Sequence, residues 1–409
     1  MKYTKVSALL IAAALLSGCG MFKQKAAEYY LGKARKAAAV QNPAPGDIEA
    51  AFAAVDKALG HAPGSEQAVA LLEDLADAAA RSGFARGQEL EAALLKKALE
   101  LAPLNWYARE ALINFYAARG DTGGLAGMAA QARALASAAD PATRYCALLA
   151  ALAAEAAAVP WLESEAYLAM NKSPEVFFER TGAYAVAVAK LPALKAELEK
   201  LAGADPGVKK SAPAALASAA EVSAADALRS PDAVRRALDF TAKAGADPAF
   251  RKAVEMTIEG NVRLVRKDYA QARAFYQGAL NQYPALLDAR RQMAEADFQE
   301  GAALAAAGAD RKAAARLLYK AYGGAGAVIA AALKDGNALP FIKPEKFLGE
   351  VYALKAADLA ALRAVEGARL RNTAKLEAEF KAALDEAVKL NPEGRLAGEL
   401  LERYTKEGF

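Results

Sequence analysis

Apolar residues follow the helical period through most of the chain, recurring at intervals of three and four. The segment 106–119, WYAREALINFYAAR, shows this plainly: Leu112 and Tyr116 share its apolar face, and Gly120-Asp121 closes it with a turn. Ahead of it the pattern predicts helices over 47–59, 66–81 and 88–101, with Ser82-Gly83-Phe84 as a loop inserted between the last two. From about 141 to 240 the helical period continues but is punctuated by Pro160, Pro174, Pro192, Pro206, Pro213 and Pro231. AGADP occurs at 202–206 and again at 244–248, offering Gly as a helix stop and Asp as an N-cap. The Ala-rich run 147–160 reads as a packed helix, interrupted by Glu155 and stopped by Pro160. Long helices are expected over 344–370 and 373–390, and a last, polar one over 392–406. Before them, 323–344 (GGAGAVIAAALKDGNALPFIKP) reads as the one long irregular stretch.

Four segments end alike. VDKALGHAP stops at Pro63, LLKKALELAP at Pro103, YQGALNQYP at Pro284 and LDEAVKLNP at Pro392, each with Ala-[Leu/Val]-x-x-x-Pro. Proline cannot continue a helix and biases the residue before it away from helical backbone, so each segment reads as the end of a helix that turns into another. The fullest copy spans 256–284. Its spacing resembles the tetratricopeptide repeat, a helix-turn-helix of about 34 residues. In that resemblance Gly260 is the small residue of the first helix, Lys267-Asp268-Tyr269 the turn, and Ala272, Tyr276, Ala279 and Pro284 the second-helix positions. Met256 and Glu259 stand where the repeat usually has Trp and Leu. Small Gly260 and Ala272 let paired helices approach, Ala279 does so for the next pair, and Tyr276 fills the space they leave. Ala98 and Pro103 repeat the same ending. The fold expected is therefore all-α, a tetratricopeptide-like α-solenoid, or superhelix of antiparallel helix pairs, with 23–160 and 241–409 as repeat regions. The first and second are joined by a degenerate middle at 161–240, and the last helix covers the exposed end of the stack.

Composition fits this. Hydrophobic residues are 55% of the 409, much of it Ala, against 8% aromatic, which suits close-packed helices. Lys+Arg number 52 and Asp+Glu 48, a near-balance that implies no nucleic-acid partner. The N-terminus departs from this neutrality. Lys2 and Lys5 precede an apolar run from Val6 to Leu16, too short for a stable span, and then Leu16-Ser17-Gly18-Cys19. This resembles a bacterial lipobox. The resemblance implies a signal peptide at 1–18, cleavage by signal peptidase II between Gly18 and Cys19, and acyl chains on Cys19 within a short anchor segment, 19–22. Several acyl chains exceed the two signals that stable anchoring needs. Gly20, rather than Asp, at the next position resembles lipoproteins sent to the outer membrane, facing the periplasm.

Little chemistry is readable. The single His, His61, lies in the turn before Pro63, away from Cys146, and no Ser/His/Asp or Cys/His pattern forms around it. With Cys19 lipidated, Cys146 has no intrachain partner and reads as a small apolar residue on a buried helix face. Neither Gly123-Gly124 nor Gly323-Gly324 follows a strand or leads into Gly-Lys-[Ser/Thr], so no phosphate loop is expected, and no metal-ligand spacing occurs. The chain is accordingly expected not to be an enzyme and to need no cofactor beyond the lipid on Cys19. Trp161, expected to open a helix at a groove edge, and Phe341, between prolines, are the candidate groove residues. Families of this kind imply a membrane-anchored scaffold or adaptor that binds envelope protein partners through a concave groove, in assembly or maintenance of an envelope complex. The alternative is an accessory lipoprotein of a solute transport system holding a small ligand. An enclosed apolar pocket would favour the second, and an open groove lined by Asn, Lys and Arg the first.

Overall fold

A computed structural model describes residues 3–205, 207–208, 216–218, 221, 231–308, 310–335, 342–367 and 372–407, with side chains from residue 21 on, outside 231–234. Regular structure among the described residues is helical throughout. The chain divides into two compact units, one of Met1–Trp161 with Lys190–Arg229, the other of Leu162–Ala189 with Ser230–Phe409. Residues 161–240 are thus shared between the two.

The first unit begins with α1 (Tyr3–Ala38), α2 (Pro45–His61), α3 (Glu66–Arg81), α4 (Gly87–Leu101), α5 (Trp106–Arg119) and α6 (Thr122–Ala138). Each helix packs on the next, and α1 also on α3, α2 on α4, and α3 on α5. Contact with the next neighbour but one is what stacked hairpins produce: each pair covers the apolar face of the pair before it. Side chains close the orphan N–H groups at the starts, Ser65 accepting from Ala68, Asn105 from Ala108 and Asp121 from Gly124. α1 is continuous across 19–22, so these residues form a helical turn.

α7 (Pro141–Ala169) and α8 (Pro174–Ala204) are longer than the pattern predicts, because neither Pro160 nor Pro192 ends its helix. Burial outweighs the lost backbone bond. Val159 beside Pro160 and Leu191 beside Pro192 are both buried. α7 has the length and composition of a membrane span, yet 78% of its apolar window is buried within the structure. Its Glu155 is buried too, paired with Arg133 at 3.0 Å and Lys190 at 3.3 Å. An acidic side chain held this way is a packing element of a protein interior.

The second unit continues with α9 (Pro231–Ala246), α10 (Pro248–Val265), α11 (Tyr269–Gln282), α12 (Leu287–Ala307), α13 (Arg311–Asp335), α14 (Pro344–Glu366), α15 (Thr373–Leu390) and α16 (Arg395–Glu407). Its contact pattern repeats that of the first unit, α10 reaching α12, α12 reaching α14, and α14 reaching α16. The fold is all-α and tetratricopeptide-like. The irregular stretch expected over 323–344 is instead helical to Asp335, and 336–341 lie outside the described residues. Gly323-Gly324 opens the stretch read as irregular, but it lies inside α13, where Gly324 packs closely on its neighbour. A Cβ on Gly324 would meet that of Ala294 on α12 at 3.1 Å, and Ala325 and Val328 beside it are buried.

The four repeated endings have one geometry. Ala62, Ala102, Tyr283 and Asn391, each just before its proline, have φ near −140° and ψ between 75° and 89°. Their N–H groups donate at 2.8–2.9 Å to the carbonyls of Ala58, Ala98, Ala279 and Ala387. All four alanines are buried. Each lies buried in the last turn of its helix, where a larger side chain would have to enter the packed interior. A second shared feature escaped the sequence reading: five residues after each proline stands another buried alanine, Ala68, Ala108, Ala289 and Ala397.

Candidate functional site

The structure brings the residues of the fullest repeat together. Gly260 on α10 faces the ring of Tyr276 on α11, and Ala272, Tyr276 and Ala279 are wholly buried along that helix. The Tyr276 hydroxyl donates to Asn261 Oδ1 at 3.0 Å, while Asn261 Nδ2 donates to the Met170 carbonyl at 3.1 Å. Burial pushes the Tyr276 phenol well above its usual value. Pro284 lies in an exposed turn whose carbonyl accepts from Arg290 at 2.8 Å, and the Pro103 carbonyl accepts from Arg109 at 3.0 Å in the same way. Gly260, Ala272, Tyr276 and Ala279 thus lie in the interior, and the two prolines on the surface.

The other candidates lie elsewhere. Trp161 sits inside α7, not at the start of a helix, and is half-exposed; its indole donates to the Ala117 carbonyl at 3.0 Å and covers Gly120, whose φ of 63° closes α5. Phe341 lies outside the described residues, as does the side chain of Cys19; Gly18 falls within α1. His61 ends α2 with its ring stacked 5.9 Å from that of Tyr30. Cys146 is buried, and burial pushes its thiol up to about 11, away from reactivity. Among the described residues no group of three or more His, Cys, Asp or Glu is placed to hold a metal ion.

The second unit contains a groove of about 750 Å³ that no candidate motif had marked. Tyr167, Leu168 and Asn171 line one wall, with Asn261, Leu264 and Val265 of α10 beside them. α12 supplies Arg291, Gln292, Glu295 and Gln299, whose spacing sets them on one face of the helix. Lys346, Gly349 and Glu350 of α14 and the turn at Asn391 before α16 complete it. Beneath the surface the charges are cross-linked. Tyr167 donates to Glu350 at 2.8 Å, Arg291 meets the other Glu350 oxygen at 3.1 Å, and Arg291 Nε reaches Asp288 at 3.4 Å. Burial alone would lower the Arg291 pKa, but the carboxylates of Asp288 and Glu350 hold the guanidinium more firmly protonated than usual. Burial pushes the Asp288 carboxyl up against the pull of Arg291.

With Arg291 and Glu350 occupied by each other, the groove offers the amides of Asn171, Gln299 and Asn391 beside the charged Glu295, Lys346, Glu393 and Arg395, while Gln292 is buried beneath them and Gln299 donates to Glu295 at 2.7 Å. An amide side chain donates and accepts at once, matching the alternating N–H and C=O of a polypeptide backbone. Leu168 and Val265, 56% and 66% exposed, give its rim an apolar surface. The sequence carried one usable signal, polar residues at helical spacing along 288–299. It went unread because the other walls come from segments far away in sequence.

The first unit has a more apolar hollow of about 650 Å³, lined by Leu99, Leu112, Tyr116, Met128 and Arg109 among others. Nε and Nη1 of the buried Arg109 have no hydrogen-bond partner, and burial lowers its pKa.

No protein-family model matches the chain, and no curated protein matches it. Among solved structures, yeast Tom70 is similar at 12% identity with a TM-score of 0.21, covering 94% of this chain and 90% of that one. The Cut9–Hcn1 hetero-tetramer of the APC/C is similar at 13% identity with a TM-score of 0.14, covering 87% and 93%. Likeness at this level transfers neither site nor partner.

Proposed function

We propose that this chain is a scaffold of the bacterial envelope, bound to the membrane by lipid on Cys19 and holding a segment of a partner protein in the groove of its second unit. The observation behind the reading is a groove lined by amide and charged side chains, Glu295 and Gln299 of α12 among them, and flanked by the exposed Leu168 and Val265: polar groups in the floor, apolar contact at the rim. The work done is binding, without a covalent step. The resemblance of Leu16-Ser17-Gly18-Cys19 to a lipobox supports the tether and, with Gly20, an outer-membrane location facing the periplasm, in assembly or maintenance of an envelope complex. Partners recovered by crosslinking and affinity purification from membranes should be lost when Asn171 and Gln299 are replaced by Ala. Recovery unchanged by those substitutions counts against the groove.

The tether has its own test. Metabolic palmitate should label the parent chain and fail to label Cys19→Ser; a labelled variant contradicts the assignment. The alternative, an accessory lipoprotein of a transport system, is favoured by one feature, the apolar hollow of the first unit with the unpartnered Nε and Nη1 of Arg109, which suits a small apolar anion.

A further inference from the structure

α1 buries one face and leaves the opposite one bare. Ala27, Leu31 and Ala34 pack inward against the following helices. Phe22, Lys25, Tyr29, Lys33 and Lys36 follow at intervals of three, four, four and three, and all five are exposed. With 100° per residue this spacing aligns them along the side away from the packed face, over about 21 Å of helix. Phe22 is 77% exposed and Tyr29 60%, while the Lys33 ammonium sits 4.8 Å from the centre of the Tyr29 ring. Arg35 is not part of the stripe, since it turns aside to Gln67 at 2.9 Å. The only acidic residue of 21–38, Glu28, lies about 100° off it.

A solvated face needs no aromatic rings. Rings flanked by lysines on one bare helix face are the composition of a helix that lies in a lipid–water interface: rings enter the headgroup layer, and ammonium groups pair with lipid phosphates. We propose that the Phe22-Lys25-Tyr29-Lys33-Lys36 face of α1 rests on an anionic phospholipid surface. Cys19, one helical turn before Phe22, would bring that face to the bilayer, so the inference rests on the lipid-anchor reading for delivery. The charge complementarity is the chain's own.

The test uses the full chain isolated from membranes, mixed with neutral phosphatidylcholine vesicles or with vesicles that also contain phosphatidylglycerol. Amine-reactive labelling is read lysine by lysine, with the exposed Lys252 and Lys389 as internal references. Labelling of Lys25, Lys33 and Lys36 should fall roughly fivefold on the anionic vesicles alone and recover at about 1 M salt, where the Debye length is near 3 Å. Lys25→Gln/Lys33→Gln/Lys36→Gln, confined to exposed positions, should lose the preference for anionic vesicles in flotation. Equal labelling on both vesicle types overturns the proposal, and so does protection found only in native membranes, which marks a protein cover. Flotation with neutral vesicles reads the anchor separately. A chain that floats on both with its stripe unprotected keeps the anchor and loses the stripe; one protected on anionic vesicles but unable to float on neutral ones does the reverse.

Discussion

Tyr276 occupies the space a side chain on Gly260 would need: a Cβ at residue 260 would lie 2.4 Å from Tyr276 Cε1. The ring is wholly buried and its hydroxyl is tied to Asn261, so it has nowhere to retreat. Gly260→Ala should therefore destabilise the protein by about 1–3 kcal/mol through overpacking, although alanine is intrinsically the better helix former by about 1 kcal/mol. Thermal melts followed by circular dichroism read the sign. A higher Tm would mean that α10 and α11 do not cross at this pair.

The four matching turns make a sharper prediction. Ala279→Leu and Ala98→Leu place a large side chain in the packed interior at the last turn of a helix, at a cost of about 1–3 kcal/mol each. Ala274→Leu, on the exposed face of α11, should change stability by less than about 0.5 kcal/mol. Similar melting temperatures for the Ala279 and Ala274 variants would remove the physical reason for the Ala-[Leu/Val]-x-x-x-Pro pattern.

Those turns were legible because they are local: Ala98 and Pro103, or Ala279 and Pro284, lie within two turns of one helix, and proline acts on its immediate neighbours. Leu112 and Tyr116 on α5 were legible for the same reason. Pro160, Pro192 and Gly323-Gly324 misled because their local preferences are overridden by burial against distant helices, Gly324 on Ala294 being the clearest case. The groove was beyond reach. Tyr167, Gln292, Glu350 and Asn391 acquire a common purpose only after α7, α12, α14 and the turn before α16 have stacked.

Asp358, fully buried on α14, has no partner for either oxygen, and burial, with Glu295 and Asp297 adding to it, pushes its pKa up to about 9. The folded chain therefore holds a proton here that the unfolded chain releases near the usual carboxylate value. Stability attributable to this group is full below about pH 4, declines as pH rises, and is lost by about pH 9. Asp358→Asn should flatten that decline and raise Tm at pH 8, by an amount on the order of a few kcal/mol in stability. Parallel Tm–pH curves for variant and parent would mean that Asp358 is ionised in the folded protein.

The claim that the second unit holds a partner polypeptide is tested most directly by photo-crosslinking in cells. A photoreactive amino acid is placed at Leu168 or Gln299, in the groove, and at Gln277, exposed on α11 and not part of it. Leu168 and Gln299 should crosslink to the same envelope protein, within one short contiguous segment of it, and Gln277 should not. Crosslinks from Gln277 with none from the groove positions, or groove crosslinks to unrelated segments of several proteins, would contradict the account.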